Sequence, residues 1–349
     1  MLPQAGAILK IQEDKSVKTV FLQGLVASAA PMFFASIAER WKTTTVFILN
    51  DNDEAGYFYN DLKTIAMPVD GEGKVAEVLF FPSSYRRAVK YGQRDAGNEI
   101  LRTEVLTRLS ALASDTDNAL PLYIVTEPSA LSELVVSKKQ LDERRLTLTV
   151  DQHIDIVEVE KTLRFFGFTE TDYVYEPGQF AVRGSIIDVY SFSNELPFRI
   201  DFFGDDIETI RSFEVETQLS TERLTRVEIV PELTTMSEEK VPFLQFLPED
   251  AVLAFKDFLY VRDAIDNIYQ EGFTNQALTE KLEGKTELEQ RELEQAYRKE
   301  GQLVPASRWM NEALDFRRIE FGINYSSSDL AKKKDGSRAT INFSTSPQP

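Results

Sequence analysis

The chain has 349 residues, enough for two or three domains with cores of their own. Apolar residues make up 42% and charged residues 28%, an ordinary globular composition, and the absence of cysteine excludes disulfides and cysteine–zinc sites. Against 39 lysines and arginines stand 57 aspartates and glutamates, so the net charge is −18, which argues against a surface built to grip phosphates and favours protein partners.

Met1 to Val17 contains no apolar segment of the secretory kind. Thr19 to Ala38 is free of charge and as long as a membrane span, but Gln23, Ser28, Pro31 and Ser36 interrupt it. It reads as a buried strand (19–25), a turn, and a buried helix ending near Arg40. TTVFILN (44–50) is a second strand, followed by a helix over 53–65 with Asp53 as its N-cap. EVLFFP (77–82) is a third strand. Ile100, Val105, Leu106, Leu109 and Leu112 line one side of an amphipathic helix over 98–113. The segment 121–135 supplies a fourth strand and a short helix. Continuous apolar strands alternating with helices predict a parallel sheet covered on both faces.

The pattern then changes. KKQLDERR (138–145) reads as a charged linker and 155–168 as a helix. From Tyr173 to Glu232 the chain reads as antiparallel strands: a hairpin turning at Pro177-Gly178, the strand SIIDVYSF, and a second hairpin turning at Gly204-Asp205. Parallel-sheet character returns over 241–258, with AVLAF as a buried strand. Charged helices are expected over 259–300, a mobile loop over 325–338 holding Lys332, Lys333, Lys334 and Arg338, and a last strand within 340–349. The expected fold class is α/β, a parallel-sheet domain in two parts (1–140 and 236–349) with a small α+β antiparallel-sheet domain inserted at 141–235. The C-terminal end has no capping feature and reads as a piece of something longer.

A phosphate-binding loop of the form G-x-x-x-x-G-K-[ST] needs backbone N–H groups, a lysine and a hydroxyl between a strand and a helix. With Gly24 as the first glycine, the other three positions fall on Ala29, Ala30 and Pro31. The topology of a RecA/P-loop-like domain is there and the phosphate chemistry is not, so no nucleotide, metal or other cofactor is expected here. Asp51-Asn52-Asp53 with Gly56 fails as a calcium loop at Ala55 and Leu62. His153 is the single histidine, and with no G-x-S-x-G elbow a hydrolase triad has no footing. No catalytic residue and no enzyme activity are assigned to the chain. Tyr85, Arg86, Arg87, Lys90, Tyr91 and Arg94 form a basic-aromatic cluster. A DNA-binding module built on it and a nucleotide-binding enzyme domain are the alternative readings.

Strand alternation singles out FRIDFF. Phe198, Ile200 and Phe202 share a core face; Arg199, Asp201 and Phe203 share the outer one, where Arg183 can join them across the sheet. Arginines around an aromatic anchor are typical of protein–protein hot spots. The other reading covers Phe203 with a neighbouring element and pairs Arg199 with Asp201 or Glu195.

The block EPGQFAVRGSIIDVYSFSNELPFRIDFFGDDIETIRSFEVETQLS (176–220) closely resembles the N-terminal part of the bacterial transcription-repair-coupling factors, a region itself similar to the excision-repair subunit UvrB. FLQGLVASAAPMFFASIAER, the stretch around FFPSSYRRAVKYGQRDAG and YIVTEPSALSELV also look like the family's first domain. The resemblance implies a UvrB-mimicking docking module that recruits UvrA where RNA polymerase has stalled at a lesion. It places the UvrA contacts on Arg183, Arg199 and Phe203. It implies a full-length, cytoplasmic, ATP- and magnesium-dependent translocase on double-stranded DNA that displaces the polymerase, using modules beyond Pro349. Intramolecular masking of the docking face is implied as well. UvrB's long aromatic hairpin is replaced here by the short SSYRRAVKYGQRDAG, so damage probing by hairpin insertion is not expected.

Overall fold

The computed structural model describes residues 3–14, 16–66, 75–85, 95–112, 120–233, 239–271, 286, 302–323 and 337–343. The chain forms two compact units. One takes Met1–Gln93, Ala111–Leu134 and Pro242–Pro349; the other takes Arg94–Ser110 and Val135–Val241.

The first unit is built on seven strands: β1 (Val17–Gln23), β2 (Thr45–Ile48), β3 (Glu77–Phe81), β4 (Leu122–Thr126), β15 (Val252–Phe255), β16 (Arg317–Gly322) and β17 (Ser337–Asn342). Their spatial order is β17-β1-β16-β15-β2-β4-β3, and every neighbouring pair is parallel. β2, β4 and β15 are buried along their whole length, which is why they read as unbroken apolar runs. Among the described residues the helices of this unit are α1 (Pro3–Glu13), α2 (Ala29–Ile37), α3 (Asn52–Ala66), α5 (Pro128–Ser132), α8 (Phe258–Glu271) and α9 (Ala306–Ala313). On one face of the sheet Phe47 packs between Phe34 of α2 and Phe58 of α3; on the other Phe255 meets Phe258 of α8 and Trp309 of α9. Among the described residues no helix is long and apolar enough to cross a membrane.

The second unit holds α4 (Ala96–Ala111), α6 (Lys138–Glu143), α7 (Ile156–Phe165) and a six-stranded sheet ordered β12-β11-β10-β9-β8-β7. Its strands are β7 (Thr169–Glu170), β8 (Gln179–Arg183), β9 (Ile186–Val189), β10 (Phe198–Phe203), β11 (Asp206–Phe213) and β12 (Ser220–Leu224). The pairings are antiparallel except β7 with β8. A separate antiparallel pair joins β6 (Leu146–Thr149) to β13 (Arg226–Ile229). The short strands β5 (Leu134–Val136) and β14 (Lys240–Pro242) lie where the chain leaves and rejoins the first unit. Phe198, Ile200 and Phe202 form the unit's core with Phe180, Ile187, Val189, Ile207 and Ile210, under Val159 and Leu163 of α7. The alternation read from FRIDFF therefore places its apolar face correctly.

Several local expectations are corrected. KKQLDERR is not a linker: Ser137 accepts from the Gln140 N–H and starts α6, whose Leu141 is fully buried. Helix α3 begins at Asn52, and it is Asp51, not Asp53, whose carboxylate accepts from the Glu54 N–H. The hairpin expected at Pro177-Gly178 is displaced. Residues 173–176 form no strand, and the turn between β8 and β9 lies at Gly184-Ser185, where Gly184 takes a φ of +63°. Arg338 lies in β17 and not in a loop; Lys332, Lys333 and Lys334 fall outside the described residues. Helix α1 and strand β16 were not expected at all.

Candidate functional site

The outer face of the second unit's sheet is organised by one carboxylate. Asp188 of β9 is fully buried and stands directly opposite Arg199 of β10 in the register. The Arg199 guanidinium forks onto it, Nε donating to Oδ1 at 2.7 Å and Nη2 to Oδ2 at 2.9 Å. Arg183, at the end of β8, donates from Nη2 to the same Oδ2. Two cations thus share one anion, and the cluster carries one net positive charge. The hydrogen bonding that Arg199 donates to Asp188 raises the Arg199 pKa above its ordinary value, with burial opposing.

Each arginine also rests on an aromatic ring. Arg199 lies 4.6 Å from the Phe213 ring centroid and Arg183 lies 5.1 Å from that of Tyr173. Arg199 Nη1 donates to the Gln218 carbonyl at 3.1 Å, and the Gln218 side chain donates to the Val174 carbonyl at 3.3 Å. Those bonds tie the 214–219 turn to the segment carrying Tyr173 and Tyr175. The result is a rigid arginine pair with exposed Tyr173, Tyr175 and Leu219 on its flanking segments.

The structure thus joins Arg183 and Arg199 through Asp188. Neither Asp201 nor Glu195 pairs with Arg199; Asp201 instead accepts from Arg211 and from Thr209 Oγ1. Phe203 is not covered. It sits at the end of β10, beside the Gly204-Asp205 turn, with 78% of its surface exposed. Asp188 and the Gln218 turn went unnoticed in the sequence. Alternation in SIIDVYSF could have put Asp188 on the arginine face, but only the strand register shows that one carboxylate serves both cations.

His153 lies beside the same hairpin. Asp151 N donates to the Ile207 carbonyl at 2.9 Å and Ile154 N to the Asp205 carbonyl at 2.7 Å, so this segment braces the start of β11. His153 Nδ1 lies 2.9 Å from Asp206 Oδ1. That hydrogen bond, followed by the attraction of the Asp206 charge, raises the His153 pKa above 6.5. Because the folded value is the higher one, the stabilisation is fully present below the unfolded value and is lost as pH rises through the folded midpoint. NMR titration should give a His153 midpoint above 6.5 that falls in Asp206→Asn. An unchanged midpoint in that variant would rule out the pairing.

In the first unit, Gly24 closes β1 with a φ of +86°, and its N–H donates to the Gly322 carbonyl at 2.8 Å. Ala29 opens α2, and Ala30 and Pro31 are buried in its first turn. The Ser28 hydroxyl does not cap α2 but donates to Asp61 Oδ2 at 3.0 Å. Gly24 has a packing role here: a Cβ on it would lie 2.5 Å from the Phe343 carbonyl oxygen. Gly24→Ala should destabilise this unit by about 2 kcal/mol, with hydrogen exchange accelerated first over 337–343. Unaltered exchange there would refute this role. Of the basic-aromatic cluster only Tyr85 is described; Arg86, Arg87, Lys90, Tyr91 and Arg94 lie outside the described residues.

Residues 146–234, which contain the whole arginine face, match the UvrB interaction domain. Up to 69% of the chain aligns with transcription-repair-coupling factors. It is 25% identical over 244 residues to that of Bacillus subtilis (69% of this chain, 20% of that protein) and 30% identical over 231 residues to that of Myxococcus xanthus (66% and 18%). It is 28% identical over 108 residues to that of Escherichia coli (31% and 9%). This chain is similar to part of the transcription-repair-coupling factors. It spans a fifth or less of the length of these relatives. The arginine cluster lies inside the matched span, supplied by β8, β9 and β10.

Proposed function

We propose that this chain is the UvrB-mimicking docking module of a transcription-repair-coupling factor and that it recruits UvrA. The observation that carries the proposal is the preorganised Arg183–Asp188–Arg199 cluster inside the UvrB interaction domain, with Phe203 exposed at the end of the strand that holds Arg199. A prefixed arginine pair loses little side-chain freedom on binding, and an exposed phenylalanine has apolar area still to bury. A partner surface presenting a carboxylate and an apolar pocket fits both. Arg183, Arg199 and Phe203 are the proposed contacts.

On this reading the chain acts without catalysis and needs no cofactor of its own. The name of its relatives ties them to transcription and to repair. We assign RNA polymerase displacement and ATP- and magnesium-dependent translocation on double-stranded DNA to parts of the full protein beyond this chain. Such parts could also cover the arginine face until the polymerase is engaged.

Calorimetric titration of the chain with UvrA, without nucleotide, tests the proposal. Saturable binding that weakens as salt screens the arginine pair is expected. Failure to bind UvrA at any salt concentration would overturn it.

A further inference from the structure

The turn at Ser28 opens on a cavity of about 470 Å³ in the first unit. It lies beyond the carboxyl ends of β1, β2, β15 and β16, with Leu25, Leu49, Lys256 and Gly322 among its lining residues. Open parallel sheets bind ligands beyond the carboxyl ends of their strands, and the volume is that of a small-molecule site. The lining is mostly apolar, with Leu25, Pro31 and Phe321 forming walls.

The polar groups come largely from one face of α3. Glu54, Tyr57, Phe58 and Asp61 follow the i, i+3, i+4, i+7 spacing and all line the cavity. Glu54 is already neutralised, because Lys256 Nζ pairs with its Oε1. Asp61 accepts only the neutral Ser28 hydroxyl, on Oδ2, and among the described residues no cation pairs with it. The cavity therefore presents a carboxylate with no cationic partner among the described residues. Tyr57, one helical turn before Asp61, also lines the cavity and is 76% exposed. A carboxylate, an aromatic ring and apolar walls are together the chemistry that holds an organic cation.

We infer that this cavity is a binding site for a small organic cation with an apolar stem, an alkyl- or arylammonium, and that its charge rejects phosphates. The inference is independent of UvrA docking, since it rests on the first unit alone. Saturation-transfer NMR with phenethylammonium, 3-phenylpropionate and ATP tests it. Only the ammonium should bind saturably. Asp61→Asn should weaken it by about tenfold, the loss of one charged contact. Val26→Trp, which fills the cavity from its partly exposed wall, should abolish binding while thermal unfolding shows the fold retained. Equal binding of phenylpropionate or ATP, no saturable binding of the ammonium, or indifference to Asp61→Asn would each overturn the assignment.

Discussion

Asp188→Ala is expected to lower the stability of the second unit by about 3–5 kcal/mol, the usual cost of removing one partner of a buried ion cluster. The reason is asymmetric. Asp188 is fully buried and its loss removes no more than a small polar side chain, but it strands two guanidinium groups. Arg199, whose side chain is 15% exposed, cannot turn to water without leaving the Phe213 ring. Urea unfolding followed by tryptophan-independent far-UV signal would measure the loss. A companion variant separates burial from charge: Arg183→Met, Asp188→Leu and Arg199→Met together should restore most of the stability, because no charge is left unpaired. That triple variant should still fail to bind UvrA. A loss below about 1 kcal/mol for Asp188→Ala would mean that solvent, and not Asp188, satisfies the arginines.

Phe203→Ala should do the opposite. With 78% of its surface exposed beside a two-residue turn, the side chain contributes little to folding, and stability should stay within about 0.5 kcal/mol of the parent. Affinity for UvrA should fall by about 2 kcal/mol or more, roughly 30-fold, as for other aromatic anchors. Titration calorimetry beside an unfolding curve reads both quantities. Undiminished binding by a folded Phe203→Ala protein would move the contact elsewhere on the sheet.

What could be read in advance followed burial. β2, β4 and β15 announce themselves because strands buried along their whole length read as apolar runs. β16 breaks that rule and was missed. RRIEFG carries Arg318 and Glu320 into the centre of the sheet, 5% and 2% exposed, where Arg318 donates to Thr19 Oγ1 at 3.1 Å and stacks over Phe258. Thr19 lies 299 positions before Arg318 and Phe258 lies 60 before it, both out of reach of any local pattern. The turn at Gly204-Asp205 was legible because a glycine with positive φ marks it. The same signal misled at Gly178, whose left-handed backbone serves a different end, its N–H donating to the Tyr190 carbonyl. Of the arginine face, alternation supplied Arg199 and Phe203 and allowed Arg183 to join them, but the shared use of Asp188 shows only in the strand register.

The strand order also bears on how the molecule comes into being. β1 is the first strand made, yet its two neighbours are β16 and β17, which lie beyond residue 316. During synthesis β1 therefore waits with both edges unsatisfied while the whole second unit, complete by Val241, leaves the ribosome. The arginine face, which belongs to the second unit's own sheet, can be assembled before the first unit's sheet is closed. Long-range parallel pairing of this kind is slow and leaves apolar edges open to misassociation. A nascent chain stalled before β16 should accordingly be a client of chaperones, and one stalled after β17 should not.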